Sequence, residues 1–199
     1  MTGGAELIER LRLVCGREHV LSAQAELATY RSDGVIRDGA APLAVALPAD
    51  AAEVASIVRA CRDAGVPFVA RGAGTSTHGR ALAPSGGVVV ALTRMRRILA
   101  LDLANDEITA EPGVPAVAVN EAVSPSHRFG QDAVSTVGGA AADGNADVSA
   151  LQLVTPDGDV VRIDSRTPGY DVCGAFAGSQ GISGIAVALT LRLPRVGLA

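Results

Sequence analysis

At 199 residues, 48% of them hydrophobic, the chain can bury a substantial core and is too apolar to remain disordered. A formal net charge of −4 gives no basic field for nucleic acid, and the absence of Trp, with only two Tyr and three Phe, removes base-stacking platforms as well. Cys15, Cys61 and Cys173 are odd in number and lack C-x-x-C spacing, which argues against a disulfide framework or a structural zinc site. The N-terminal residues have neither signal-peptide nor transit-peptide character, and no segment approaches the roughly 20 apolar residues of a membrane span. The expectation is a soluble, cytoplasmic protein.

The first predicted element is a helix over about Ala5 to Val14, with Leu7, Ile8, Leu11 and Val14 on one face and Gly16 as its stop. A polar turn follows at Tyr30–Gly34, and Pro42 and Pro48 bracket a short strand. Asp50 with Glu53 forms a capping-box pattern, after which Val54, Ile57, Val58 and Cys61 recur at helical spacing until Gly65. Cys61 on that stripe reads as core. A strand over Pro67 to Ala70 then delivers the chain into a glycine-rich loop.

Two hairpins are predicted downstream, Arg97–Asp102 with Ile108–Glu111 and Ala150–Val154 with Val160–Ile163. Between them a short helix spans about Ala116 to Val123, flanked by Pro115 and Pro125, and Ser126 to Ser149 reads mostly as loop. From Ile185 to Leu193, apolar residues alternate with smaller or polar ones, the pattern of a strand with one buried face. Helices mixed with hairpins indicate an α+β domain and not a doubly wound parallel sheet.

The loop Arg71-Gly72-Ala73-Gly74-Thr75-Ser76-Thr77-His78-Gly79 reads as a phosphate cradle, because small residues let successive N–H groups converge on an anion. It fits neither G-x-G-x-x-G nor the P-loop. Three further small-residue turns, at Pro112-Gly113, at Ser135 to Gly139 and at Gly178 to Ile185, could line the same groove. The acidic pairs near Asp102, Asp106, Glu107, Asp157 and Asp159 fall in hairpin turns and read as solvated. His19 and His127 have no partners at metal-ligand spacing and read as surface or capping residues; no metal is expected.

The order and wording of these segments resemble the FAD-linked oxidases with a p-cresol methylhydroxylase-type FAD-binding domain, in particular their glycolate oxidase and D-lactate dehydrogenase branch. The likeness runs from about Tyr30 to Pro194 and rests on Val-Pro-Phe-Val-Ala-Arg-Gly-Ala-Gly-Thr-Ser, Glu-Pro-Gly-Val and Gly-Ser-Gln-Gly-Ile-Ser-Gly-Ile. It implies one FAD-binding domain over residues 1–199, of two small α+β lobes, about 1–95 and 96–199, with mixed and antiparallel sheets. It further implies that Gly72, Ala73, Gly74, Thr75, Ser76 and Gly79 hold the FAD pyrophosphate and that Pro112 and Gly113 lie near the cofactor. By the same likeness Ser135, Thr136, Gly138 and Gly139 line the dinucleotide groove, and Gly184 and Ile185 present backbone groups to the flavin or adenosine. Thr75 stands where some members of the wider family carry a covalent histidine, so noncovalent FAD is expected, with His78 either a polar contact or solvent-exposed.

Two departures stand out. Members of the family continue into a substrate domain that this sequence lacks, so no catalytic residue is assigned, and a hydroxy-acid substrate would need a second chain, in a hetero- or homo-oligomer. The stretch from Gln131 to Leu151 is shorter than the family's, and Gln180 and Ser183 replace its usual acidic and leucine residues. Three readings stay open: a flavin-binding subunit of a 2-hydroxy-acid oxidoreductase, a noncatalytic remnant or interaction module, and a binder of another nucleotide.

Overall fold

The computed structural model describes residues 2–36, 39–75, 81–131, 134–166, 171–176 and 183–197. In chain order they form α1 (Thr2–Cys15), β1 (Val20–Leu21), α2 (Gln24–Leu27), β2 (Ala44–Ala46), α3 (Ala51–Asp63), β3 (Phe68–Arg71) and β4 (Val88–Ala91). The second half continues with β5 (Ile98–Asp102), β6 (Glu107–Ala110), α4 (Ala116–Val123), α5 (Val137–Ala142), β7 (Asp147–Val154), β8 (Val160–Asp164), α6 (Val172–Phe176) and β9 (Ile185–Arg192).

The first sheet has the order β1-β2-β4-β3, with β2, β4 and β3 mutually parallel and β1 antiparallel to β2. The second is antiparallel throughout, in the order β5-β6-β9-β7-β8. One mixed and one antiparallel sheet make this the expected α+β architecture. β4 inserts between β2 and β3, so the Val88–Val90 run is covered on both edges and wholly buried, as its unbroken apolar sequence requires.

α3 bears out its sequence signals. Asp50 Oδ1 accepts from the N–H groups of Ala52 and Glu53, both at 2.9 Å, and Gly65 leaves the helix at φ 64°. Glu53 reaches back to the Ala49 N–H at 2.7 Å, one residue before the position a capping box uses. Val54, Ile57, Val58 and Cys61 are fully buried against α1 residues Leu7 and Leu11. Burial pushes the Cys61 thiol up to about 12, which leaves it an inert core side chain.

A second core joins α4, α5 and α6 to the antiparallel sheet through Ile108, Val119, Val137, Leu189 and Leu191. One expectation fails in this region. The stretch 126–149 is mostly loop, as expected, and its regular parts are α5, which Thr136 caps with Oγ1 accepting from the Gly139 N–H at 3.2 Å, and the start of β7 at Asp147. His127 is not at the surface: its side chain is 4% exposed, and Nε2 donates to Asp106 Oδ1 at 2.8 Å.

Asp106, at φ 59° in the β5–β6 turn, also accepts from Arg195 Nε at 2.6 Å, so a turn read as merely solvated pins the segment after β9. Hydrogen bonds from His127 and then Arg195 hold the Asp106 carboxyl below its ordinary 3.8. A depressed folded-state value stabilises fully above the ordinary pKa and is lost as pH falls through the folded value. Asp106→Asn is therefore expected to show a smaller loss of urea midpoint than the wild type over roughly pH 5 to 2, the acid limb that remains coming from other paired carboxylates such as Asp164, held at about 2 by Arg166. Equal acid limbs would show that the pairing contributes nothing.

Among the described residues, no helix is long and apolar enough to cross a membrane.

Candidate functional site

The parallel strands β3 and β4 end at one side of the first sheet, and a groove opens beyond their carboxyl ends, where parallel sheets commonly bind ligands. Its near wall is the glycine loop, Gly72 to Thr75, with Leu92 behind it. Its far wall comes from the second sheet: Pro112 after β6, Ser135, Thr136, Gly138 and Gly139 at the start of α5, and Gly184 and Ile185 leading into β9. All four small-residue turns singled out in the sequence thus contribute to one groove.

Main-chain pairing draws the distant turns together. Ala116 N–H donates to Ser135 O at 2.8 Å, Val137 N–H to Val114 O at 2.9 Å, and Gly138 N–H to Pro112 O at 2.8 Å. A Cβ at Gly138 would stand 2.7 Å from Pro112 Cβ, so only glycine allows this approach. A Cβ at Gly72 would stand 2.6 Å from Thr136 Oγ1, which makes Gly72 the point where the two walls nearly touch.

The turns differ in what they offer a ligand. At the start of α5 the N–H groups of Val137, Gly138 and Gly139 are all taken up by protein acceptors, so this wall contributes shape. In the loop, among the described residues, the N–H groups of Ala73, Gly74 and Thr75 have no protein acceptor, and Gly74 adopts φ 74°. Unpaired backbone donors grouped at a left-handed glycine form a concavity suited to an anion. Gly184, at φ 134°, packs against Val154 O and Leu153 and so lets β9 start directly beside the groove.

Gly113 does not line the groove. Its N–H donates to Met95 O at 2.8 Å, and a Cβ there would meet the Leu92 and Met95 carbonyls, so it supports the turn after β4. Ser76, His78 and Gly79 lie outside the described residues. Arg71, Gln131, Asp143, Asn145, Phe176 and Ala186, none of them marked as site residues in the sequence, also line the groove. Only Arg71 carried a signal, its place at the loop's entrance. Burial pulls its pKa below the ordinary guanidinium value.

Among the described residues, no group of three His, Cys, Asp or Glu side chains is placed to hold a metal ion. A groove walled by glycine turns, between a mixed sheet and an antiparallel sheet, is the architecture of a nucleotide-binding module. The chain belongs to the FAD binding domain family, whose model matches residues 42–164, and FAD is its cofactor.

The glycolate oxidase subunit GlcD of Escherichia coli (strain K12) is 29% identical over 206 residues, covering 91% of this chain and 41% of that protein. The mitochondrial D-lactate dehydrogenase [cytochrome] of Arabidopsis thaliana is 31% identical over 174 residues, covering 78% of this chain and 31% of that protein. The chain thus spans less than half the length of these relatives. Among solved structures, 4-ethylphenol oxidase from Gulosibacter chungangensis superposes over 99% of this chain and 44% of its own, with a TM-score of 0.87 and 21% identity. For p-cresol methylhydroxylase the TM-score is 0.79 at 19% identity, over 100% of this chain and 45% of its own. The fold is that of a p-cresol methylhydroxylase-type FAD-binding domain.

Proposed function

We propose that the chain is the FAD-binding part of an oxidoreductase acting on a 2-hydroxy acid of glycolate or lactate type, with the FAD pyrophosphate on the loop Gly72 to Thr75. The observation that carries this reading is that Ala73, Gly74 and Thr75 line the groove with N–H groups that, among the described residues, have no protein acceptor, whereas those of Val137, Gly138 and Gly139 across from them are satisfied. Bound FAD supplies the redox chemistry by accepting a hydride from the hydroxylated carbon. The protein's part is to bind and orient it. Gly72, Gly138 and Gly184 keep the walls close enough to enclose a flat, elongated ligand, and Thr75, standing directly after Gly74, leaves the cofactor noncovalent. The substrate class comes from the glycolate oxidase and D-lactate dehydrogenase relatives. Buried, unpaired Cys15, Cys61 and Cys173 fit a reducing cytoplasm.

A second reading has one observation in its favour. Among the described residues lining the groove, Arg71 and Asp143 alone are titratable, so Asp143 is the single carboxylate there that could take the hydroxyl proton, and any other base would come from a partner chain or further domain. Where neither serves, the module holds flavin and does no chemistry. Anaerobic addition of glycolate, D-lactate and D-2-hydroxyglutarate to the FAD-loaded protein separates the two. Bleaching of the flavin band by one acid supports the oxidoreductase; FAD-loaded protein that none of them bleaches supports the noncatalytic module.

A further inference from the structure

Arg71 closes β3 and is 8% exposed. Its Nη1 donates to Ala81 O at 3.1 Å and its Nη2 to Ser32 O at 2.9 Å, while Cζ sits 5.3 Å from the centre of the Tyr30 ring. The loop folds over this guanidinium, which fills the space a Cβ on Gly74 would need. The side chain therefore ties the two ends of the loop, residues 71 and 81, to each other and to the Ser32 segment, and it also lines the groove.

Its charge is poorly compensated. Among the described residues, no carboxylate lies within ion-pair distance of Arg71. Tyr30 and then Asp33 favour the charge only through space: Asp33 Oδ1 accepts from the N–H groups of Val35 and Ile36, and its Oδ2 is buried without a hydrogen-bond partner. An arginine stays protonated under such conditions, and a buried cation lacking a paired anion is unfavourable until one arrives.

We infer that Arg71 is a positioning residue for the cofactor's diphosphate, bracing the loop from beneath and holding, behind the N–H groups of Ala73 to Thr75, a positive charge that no described carboxylate pairs directly. The inference rests on the groove being the FAD site. It confines the effect of Arg71 to ligands that carry phosphate, which a purely structural role would not do.

The test compares wild type, Arg71→Met and Arg71→Lys well below their unfolding midpoints, titrating each with FAD, ADP and riboflavin. R71M is expected to weaken FAD and ADP by about tenfold or more, the scale of a charge-assisted contact, and to leave riboflavin affinity unchanged. R71K falls between, because an ammonium keeps the charge but not the planar fork that bridges two carbonyls. Added salt should weaken FAD binding to the wild type more steeply than to R71M. The inference is overturned if R71M loses FAD and riboflavin in equal proportion or binds both as the wild type does. If R71M does not fold, R71K carries the same comparison. A wild type that binds neither FAD nor ADP overturns the groove assignment itself, whereas a wild type that binds FAD with an unselective Arg71 effect overturns only the role of Arg71.

Discussion

Replacing Gly74 by valine is expected to lower FAD affinity by about 100-fold or more while leaving the domain folded. Gly74 sits at φ 74°, where an L-residue is strained by roughly 1–2 kcal/mol and a β-branched one by more. The new Cβ would also meet the Arg71 guanidinium, which is fixed by Ser32 and Ala81 and cannot swing aside without breaking both bonds. The loop must open, which displaces the N–H groups of Ala73, Gly74 and Thr75 from the groove lining. Fluorescence titration with FAD measures the loss, and a thermal melt of the unliganded variant confirms that the fold survives. Folded G74V that binds FAD like the wild type would place the pyrophosphate elsewhere.

Leu189→Ala is expected to destabilise the protein by about 3 kcal/mol, which at this chain length lowers the melting midpoint by roughly 6–12 °C. Leu189 is fully buried at the centre of β9, opposite Ala110 of β6 and Leu151 of β7, and it belongs to the core shared with α4 and α5. Backbone ladders hold it from both sides, so the sheet cannot collapse into the space left behind. Its position away from the groove lining should leave FAD affinity unchanged in the folded fraction. A cost below about 1 kcal/mol in urea unfolding would mean that this core repacks freely.

Elements whose local chemistry and tertiary role agree were legible in the sequence. Asp50 and Gly65 mark the ends of α3 and Pro115 the start of α4, and the alternation from Ile185 to Leu191 marks β9. The unread parts are those where tertiary contacts override local preference. Gly138 and Gly139 each weaken a helix by about 1 kcal/mol relative to Ala and therefore read as a turn. They nonetheless sit in α5, because Thr136 caps it and Pro112 approaches too closely for any side chain at Gly138. The insertion of β4 between β2 and β3 leaves no local trace, since chain order does not fix sheet order. His127 is buried by a partner, Asp106, that lies 21 residues away. Of the site, the four turns were readable as small-residue clusters. The division between walls that offer free donors and walls that offer only shape depends on which carbonyls come near, and no spacing encodes that.

We propose that this domain holds FAD in the groove between its two sheets. An absorbance spectrum of the purified protein, followed by denaturation and analysis of the released small molecules, tests it most directly, with added FAD and a thermal melt as the complement. The expected result is a flavin spectrum, FAD released intact into the supernatant, and a melting midpoint that rises with FAD concentration, as ligand binding to the folded state requires. Colourless protein whose midpoint does not move with added FAD would contradict it.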